Sequence, residues 1–329
     1  MALTIRNAIL HILHNDGPSS VFSQTELDID SEICEAFITK HVKKLLDNPA
    51  VRTATFKPDA ALYQLLIDYQ NGAAYFKDTA IAIAQKLDAL MTRFTALPPC
   101  DLLIARVGNK HGEYLAVLQL GFQEVYAHHS TASDNQLTMY KALPFASGKV
   151  EYACLIALDG PSMPISLVEK SAVLDGNNVL YFSELFLECE TAPSKKEQAQ
   201  LIEEVNTEIV ETYFKSDPNI TARIKSALVE EVEDSEGFVS MDSVAAQVFA
   251  DNEEVKTHYL STLREAGIQA DLPLGERVVR QQFGTQRIKG ENGVEIKFPA
   301  QLASEEDEME ITHHGDGTVT VLIKRLRVV

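Results

Sequence analysis

Apolar positions along the chain form two kinds of pattern, short runs with β spacing and longer stripes with helical spacing. The stretch from Asp101 to Glu190 is of the first kind. DLLIARV (101–107) and EYLAVLQLGF (113–122) are joined by GNKHG, where Gly108, Asn109 and Gly112 offer the positive φ a tight hairpin needs. EYACLIAL (151–158), PISLVEK (164–170) and VLYFSELFLE (179–188) follow as predicted strands, each bounded by Gly, Pro, Asp or Asn. Their connections are too short for the crossover that a parallel pair requires. The spacing therefore predicts a mainly antiparallel sheet. This block carries no catalytic signature and reads as scaffold.

Helical stripes flank it. Ile33, Phe37, Ile38, Val42, Leu45 and Leu46 share one face of a helix that Asp30 or Ser31 can cap. Lys40, Lys43 and Lys44 lie in its last part, where cations suit the helix dipole. PDAALYQLLIDYQ predicts a second helix opening at Pro58, and Phe76, Ala80, Ile83, Leu87, Leu90, Met91 and Phe94 mark a third, closed by Pro98-Pro99. This third helix is expected to lie across the sheet. The opening TIRNAILHIL fits an edge strand or a short helix equally well. QEVYAHHS reads as an extension of the preceding strand, and LTMYKALPF as another strand ended by Pro144.

At Thr191 the composition changes. Ser194 and Glu197 form a capping-box pair ahead of Leu201, Ile202, Val205, Ile209 and Tyr213, a helix that Asp217-Pro218 ends. Three shorter helical stripes follow, the last stopped at Gly267. From Leu272 the pattern returns to strands. GVEIKFP (293–299) is expected to pair with TVTVLIKRLRVV (318–329), with an acidic stretch (304–310) and HHGDG between them. The fold class predicted is α+β: N-terminal helices packed on a mainly antiparallel sheet (1–190), then an acidic helical region with C-terminal β-strands (191–329).

Charge sharpens this division. The 329 residues carry a net charge of −19. Residues 191–274 hold 7 Lys and Arg against 17 Asp and Glu, whereas 275–289 hold four cations and one acid. An acidic body with a local basic segment argues against indiscriminate polyanion binding and leaves a small local nucleic-acid or acidic-partner site open. No apolar run approaches membrane-spanning length, and the N-terminal residues lack a signal-peptide pattern. The four cysteines, Cys34, Cys100, Cys154 and Cys189, are far apart in apolar surroundings, as in a reduced cytoplasmic protein.

Candidate chemistry is sparse. The sequence contains no GxSxG, GxGxxG or GxxxxGK[ST]. His128-His129 with Asp134 and His313-His314 with Asp316 have no metal-ligand spacing, since adjacent histidines in a strand face opposite ways. The candidate recognition helix of a helix-turn-helix, EEVKTHYLSTLREAG, sets Lys256 and Arg264 against Glu253, Glu254 and Glu265, which is wrong for facing phosphates. GERVVRQQFGTQRIKG is better suited. Arg277, Arg280, Arg287 and Lys289 lie among Gln281, Gln282, Gln286 and Phe283, and Lys297, Lys324, Arg325 and Arg327 extend the candidate DNA-binding set. The residues assign no catalytic group, no metal and no cofactor.

The order of segments carries a resemblance. AILHIL (8–13), YFSELFLEC (181–189), RQQFGTQRIKGENGVEIKFPAQL (280–302) and HHGDGTVTVLIKRL (313–326) together resemble the bacterial nucleoid-associated family often called NdpA or YejK. The resemblance spans essentially the whole chain. It implies a cytoplasmic protein found with the nucleoid, associating with DNA and acting on type II topoisomerases. It implies neither enzymatic activity nor a cofactor, and it supplies no set of DNA-contacting residues. The acidic balance keeps a second reading open, in which a protein-interaction module reaches the nucleoid by docking on a DNA enzyme such as a type II topoisomerase.

Overall fold

A computed structural model describes residues 3–15, 19–131, 134–143, 150–304, 308–314 and 316–324. The fold is α+β, and the chain divides into two compact units, Met1–Ala192 and Pro193–Val329.

The first unit is built on a seven-stranded sheet. In chain order its elements are β1 (Thr4–Leu13), α1 (Glu32–Leu46), β2 (Arg52–Phe56), α2 (Ala61–Gln70), α3 (Phe76–Arg93), β3 (Cys100–Asn109) and β4 (Gly112–Gly121). There follow β5 (Gln123–Ser130), β6 (Asn135–Ala142), β7 (Tyr152–Ala157), β8 (Ile165–Val168), β9 (Ala172–Leu174) and β10 (Asn177–Val179). A π-helical turn (Phe182–Leu187) and β11 (Cys189–Thr191) complete the unit. The sheet runs β1-β3-β4-β7-β8-β2-β11, and every pairing in it is antiparallel. TIRNAILHIL thus resolves as the edge strand β1. Beside it, Val21 exchanges backbone hydrogen bonds with Ile12, and the Leu27 N–H donates to the Ala8 carbonyl, so chain covers the edge.

DLLIARV and EYLAVLQLGF form the expected β3–β4 hairpin, in register from Cys100–Gly121 to Asn109–Gly112. Of the three candidate turn residues, Gly112 alone takes positive φ, at 146°. A Cβ there would also displace the Asp159 carboxylate, which accepts the Glu113 N–H.

Both faces of the sheet are covered, which is why β3 and β4 are nearly continuous apolar runs. Leu102, Ile104, Leu115 and Val117 bury against α2, α3 and the π-turn, through Leu66, Ile83, Leu87, Met91, Phe182 and Phe186. Leu103, Ala105, Val107, Ala116, Leu118 and Leu155 face the other way and meet Ile38, Val42 and Leu45 of α1. Three helices and a π-turn cover the two faces unequally.

The run VLYFSELFLE corrects the expectation of a strand: Phe182–Leu187 coils into the π-turn. Phe182, Phe186 and Leu187 are all fully buried, a spacing no strand face produces. Glu188 leaves the turn at φ 57°, and its carboxylate accepts from the Ala61 N–H at 2.7 Å and pairs with Lys86 at 2.9 Å. That carboxylate satisfies the N-terminus of α2, which begins at Ala61 rather than at Pro58.

The second unit opens with α4 (Lys195–Phe214), held by the expected capping box of Ser194 and Glu197. α5 (Pro218–Asp234) follows at once, with Asp217 as its N-cap and Pro218 at its first position. Then come β12 (Val239–Ser240), α6 (Met241–Val248), α7 (Glu253–Glu265), β13 (Asp271–Leu272) and α8 (Glu276–Phe283). Their core gathers Ile202, Ile209, Leu228, Val244, Tyr259, Val279 and Phe283. The unit ends in β14 (Thr285–Lys289), β15 (Glu295–Pro299), a 3₁₀ turn (Ala300–Ser304), β16 (Met309–His313) and β17 (Val319–Ile323).

Two expectations fail here. Glu276–Phe283 is a helix rather than the start of the strands, with Val278, Val279 and Phe283 on its buried side. β17 pairs with β16, not with GVEIKFP, which as β15 pairs with β14. Met309 and Ile311 alternate with exposed Glu310 and supply the nearer partner. The two hairpins share a small core of Phe298, Met309 and Ile311.

Buried His11 contributes an acid-labile part of the first unit's stability. Its Nδ1 accepts the Ser23 N–H at 3.1 Å, its Nε2 has no partner, and burial lowers its pKa to about 4. The unfolded imidazole titrates near 6.5, so only the unfolded chain gains this proton as pH falls from about 6.5 to 4. The stability contributed by neutral His11 is lost through that window. Asp101, raised to about 6 by burial, opposes it, losing stability as pH rises through 6. His11→Asn should remove up to about 3 kcal/mol of this acid loss. Denaturant titrations at pH 7, 5.5 and 4 measure it. A slope equal to that of the unaltered chain would show that His11 is not the responsible group.

Candidate nucleic-acid interface

The basic segment is divided by the fold between a helix and a hairpin. α8 is an eight-residue helix whose apolar side is buried, so Arg277 and Arg280 stand on its exposed side. β14 leaves it directly through Gly284. Strand alternation then buries Gln286 and turns Thr285, Arg287 and Lys289 outward. On β15, Glu295 and Lys297 face outward while Phe298 goes to the core. The register sets Arg287 opposite Lys297 and Lys289 opposite Glu295, so one open hairpin face carries three cations and one carboxylate.

Ion pairing separates the candidates. Arg280 lies between two carboxylates, with Nε 2.8 Å from Glu276 and Nη2 2.9 Å from Glu233 of α5. Arg287 reaches Glu295 at 3.0 Å, and half-buried Lys324 reaches Glu310 at 3.2 Å. Arg277, Lys289 and Lys297 form no ion pair among the described residues and are exposed. Arg325 and Arg327 lie outside the described residues. The fold thus joins Arg287, Lys289 and Lys297 on one surface. Arg277 and Arg280 belong to a separate element, and Arg280 is already neutralised.

The helix-turn-helix candidate fails on the same grounds. α6 and α7 do adjoin, with Asn252 capping α7 through the Val255 N–H at 3.1 Å. But Asp251, Glu253 and Glu254 surround the end that would meet phosphates, and Lys256 is paired with Glu253. Among the described residues, no group of three or more His, Cys, Asp or Glu is placed to hold a metal. A cleft of about 220 Å³ is lined by Cys100, Gln119, Phe122, Glu151 and Tyr152. Burial pushes the Cys100 thiol up to about 12, which makes it a poor nucleophile.

YFSELFLEC proves structural. The Tyr181 hydroxyl donates to Gln119 at 2.8 Å, Ser183 N–H donates to Glu169 at 3.0 Å, and Cys189 pairs across to Phe56. In the C-terminal turn, Asp316 accepts from the Thr318 N–H and hydroxyl, which lowers its carboxyl pKa, while Gly317 supplies the positive φ.

Fold and surface define a two-unit α+β protein, strongly acidic, with three exposed cations set together on one face of the β14–β15 hairpin. A family model described as nucleoid-associated protein YejK matches residues 9–327, and the chain belongs to that family. Comparison with curated proteins finds no match. Among the described residues, no helix is long and apolar enough to cross a membrane.

What the sequence did not reveal is the β5–β6 hairpin. Among the described residues its two strands pair only with each other, from Gln123–Ala142 to Ser130–Asn135. No residue in either strand is fully buried. Both strands were legible; their isolation was not.

The cation face carries a built-in repulsion, because like charges directly opposite on a hairpin destabilise it. Lys297→Glu sets a carboxylate opposite Arg287 instead. It should stabilise the hairpin by about 0.5 kcal/mol and raise the melting temperature by about 1–2 °C at low salt. Thermal melting of the full chain reads this out. A lowered temperature would mean that the two side chains do not face one another.

Proposed function

We propose that this member of the nucleoid-associated family contacts DNA directly and non-enzymatically, with little sequence preference, through the open face of β14–β15. The observation that carries the reading is the juxtaposition of Arg287 and Lys297 with Lys289 beside them. Three cations share one carboxylate there, so an anionic partner relieves repulsion that the isolated hairpin must bear. A two-stranded face this small presents point charges to phosphates and no groove-reading element to bases, which accounts for weak sequence preference. The net charge of −19 limits the contact to this locality and makes it weak at physiological salt.

Titration of the purified full chain against duplex DNA at several salt concentrations tests the reading. Log affinity should fall with log salt at a slope of about −3 for each face engaged. Lys289→Gln with Lys297→Gln should flatten it by about two units per face. Scrambling the DNA sequence should change affinity little. An unchanged slope in the double variant, or no binding at low salt, overturns the reading.

One feature favours the second reading. Glu204, Glu208 and Glu211 recur along α4, exposed and without an ion pair among the described residues. Glu203 is instead held by Lys225 at 2.9 Å. The exposed stripe suits a basic protein surface, such as that of a type II topoisomerase. Glu204→Lys with Glu208→Lys should then slow association with that enzyme and reduce its salt sensitivity. Association kinetics that the charge reversal leaves unchanged would remove this reading.

A further inference from the structure

The tip of the β14–β15 hairpin carries chemistry that neither its charge nor its pairing uses. Glu291, Asn292 and Gly293 connect the strands. The Gly290 N–H donates to the Val294 carbonyl at 2.8 Å, and the Gly293 N–H to the Gly290 carbonyl at 3.0 Å. Gly293 closes this short loop at φ 84°, a left-handed conformation that glycine adopts without strain. Asn292 is exposed, and its side chain folds back over the loop. Its Oδ1 accepts the Val294 N–H at 3.1 Å and lies 2.7 Å from where a Cβ on Gly290 would stand. Asparagine commonly bonds the backbone two residues on. Here that bond has a chemical consequence.

Asparagine followed by glycine is the pair in which a chain most readily attacks itself, because no Cβ on the second residue shields its nitrogen. The Gly293 nitrogen, on losing its proton to hydroxide, attacks Asn292 Cγ. Negative charge develops on Oδ1, where the Val294 N–H already donates. The Cγ–Nδ2 bond then breaks and ammonia leaves with a proton from water, so a five-membered succinimide remains. Water opens that ring at either carbonyl. One opening gives aspartate, the other isoaspartate with the main chain rerouted through the side chain. The sum is carboxamide plus water to carboxylate plus ammonium, with no further reactant. The sequence has one other such pair, Asn71-Gly72. It ends α2, whose Leu62 and Leu66 are buried, and the N–H groups of Asn71, Gly72 and Ala73 donate to Ile67, Tyr69 and Asp68. A packed helix holds that turn, whereas a two-stranded hairpin opens easily.

We propose that Asn292 is a site of spontaneous conversion to aspartate and isoaspartate, and that the conversion weakens the DNA contact of the adjoining face. Lys289, Glu291 and Asn292 line one cleft, so the new carboxylate stands beside a cation of that face. Isoaspartate also lengthens the main chain within the loop, which displaces the Gly290–Val294 pairing next to Lys289 and Glu295. The effect on DNA rests on the proposed role of β14–β15. The chemistry at Asn292 does not.

Incubating the full chain in warm, mildly alkaline buffer and mapping its peptides by mass tests the chemistry. Asn292 should convert before Asn71, and enzymatic methylation of isoaspartate should label the same peptide. Asn292→Ser should abolish that label, with circular dichroism showing the variant folded. Against duplex DNA, Asn292→Asp should give a salt slope flatter by about one unit than the unaltered chain. Asn292 still intact once Asn71 has converted overturns the site. An unchanged slope in Asn292→Asp, where Lys289→Gln with Lys297→Gln does flatten it, overturns the effect on DNA. Absence of duplex binding before incubation overturns the role of β14–β15 itself, and with it that effect, while the mass map still decides the chemistry.

Discussion

The first unit depends on the burial of both faces of its central sheet. β3 and β4 supply apolar side chains to each face, so neither side can be left wet without exposing several large residues. One face is closed by α2, α3 and the π-turn, and Tyr181, Phe182 and Phe186 complete it. The other is closed by α1 alone, which is 15 residues long. At ~1.5 Å per residue that helix covers only about 22 Å, less than the length of β4. The cavity beside Val107 and Leu155 is the consequence. It is a product of unequal cover, and it lies where a second apolar element has the most to gain.

The same constraint accounts for what was legible in the sequence. A sheet buried on both sides leaves near-continuous apolar runs, and short connections make them antiparallel. Helices with a strong one-sided stripe, such as Phe76 to Met91, were equally plain, as was the capping box of Ser194 and Glu197. The π-turn was not, because an aromatic run such as YFSELF has the composition of a strand. It coils instead, burying Phe182, Phe186 and Leu187 and bringing Glu188 to cap α2 from its end. α8 was missed because its few apolar positions, Val278, Val279 and Phe283, run directly into the β-spaced pattern of the C-terminal hairpins. The pairing of β17 was misread because Met309 and Ile311 sit at the edge of an acidic stretch, which hid their alternation.

The candidate site was half legible for a related reason. Charge along a chain locates cations but says nothing of their partners. Arg280 is neutralised in part by Glu233 on α5, far away in sequence. Arg287 and Lys297 meet only through the hairpin register. The cluster seen in sequence around Arg277–Lys289 becomes, in the fold, a narrower face in which β15 replaces α8. The acidic surroundings belong to the same picture. Carboxylates beside Arg280, Arg287 and Lys324 confine the attraction this region offers a polyanion to a small area and keep it sensitive to salt.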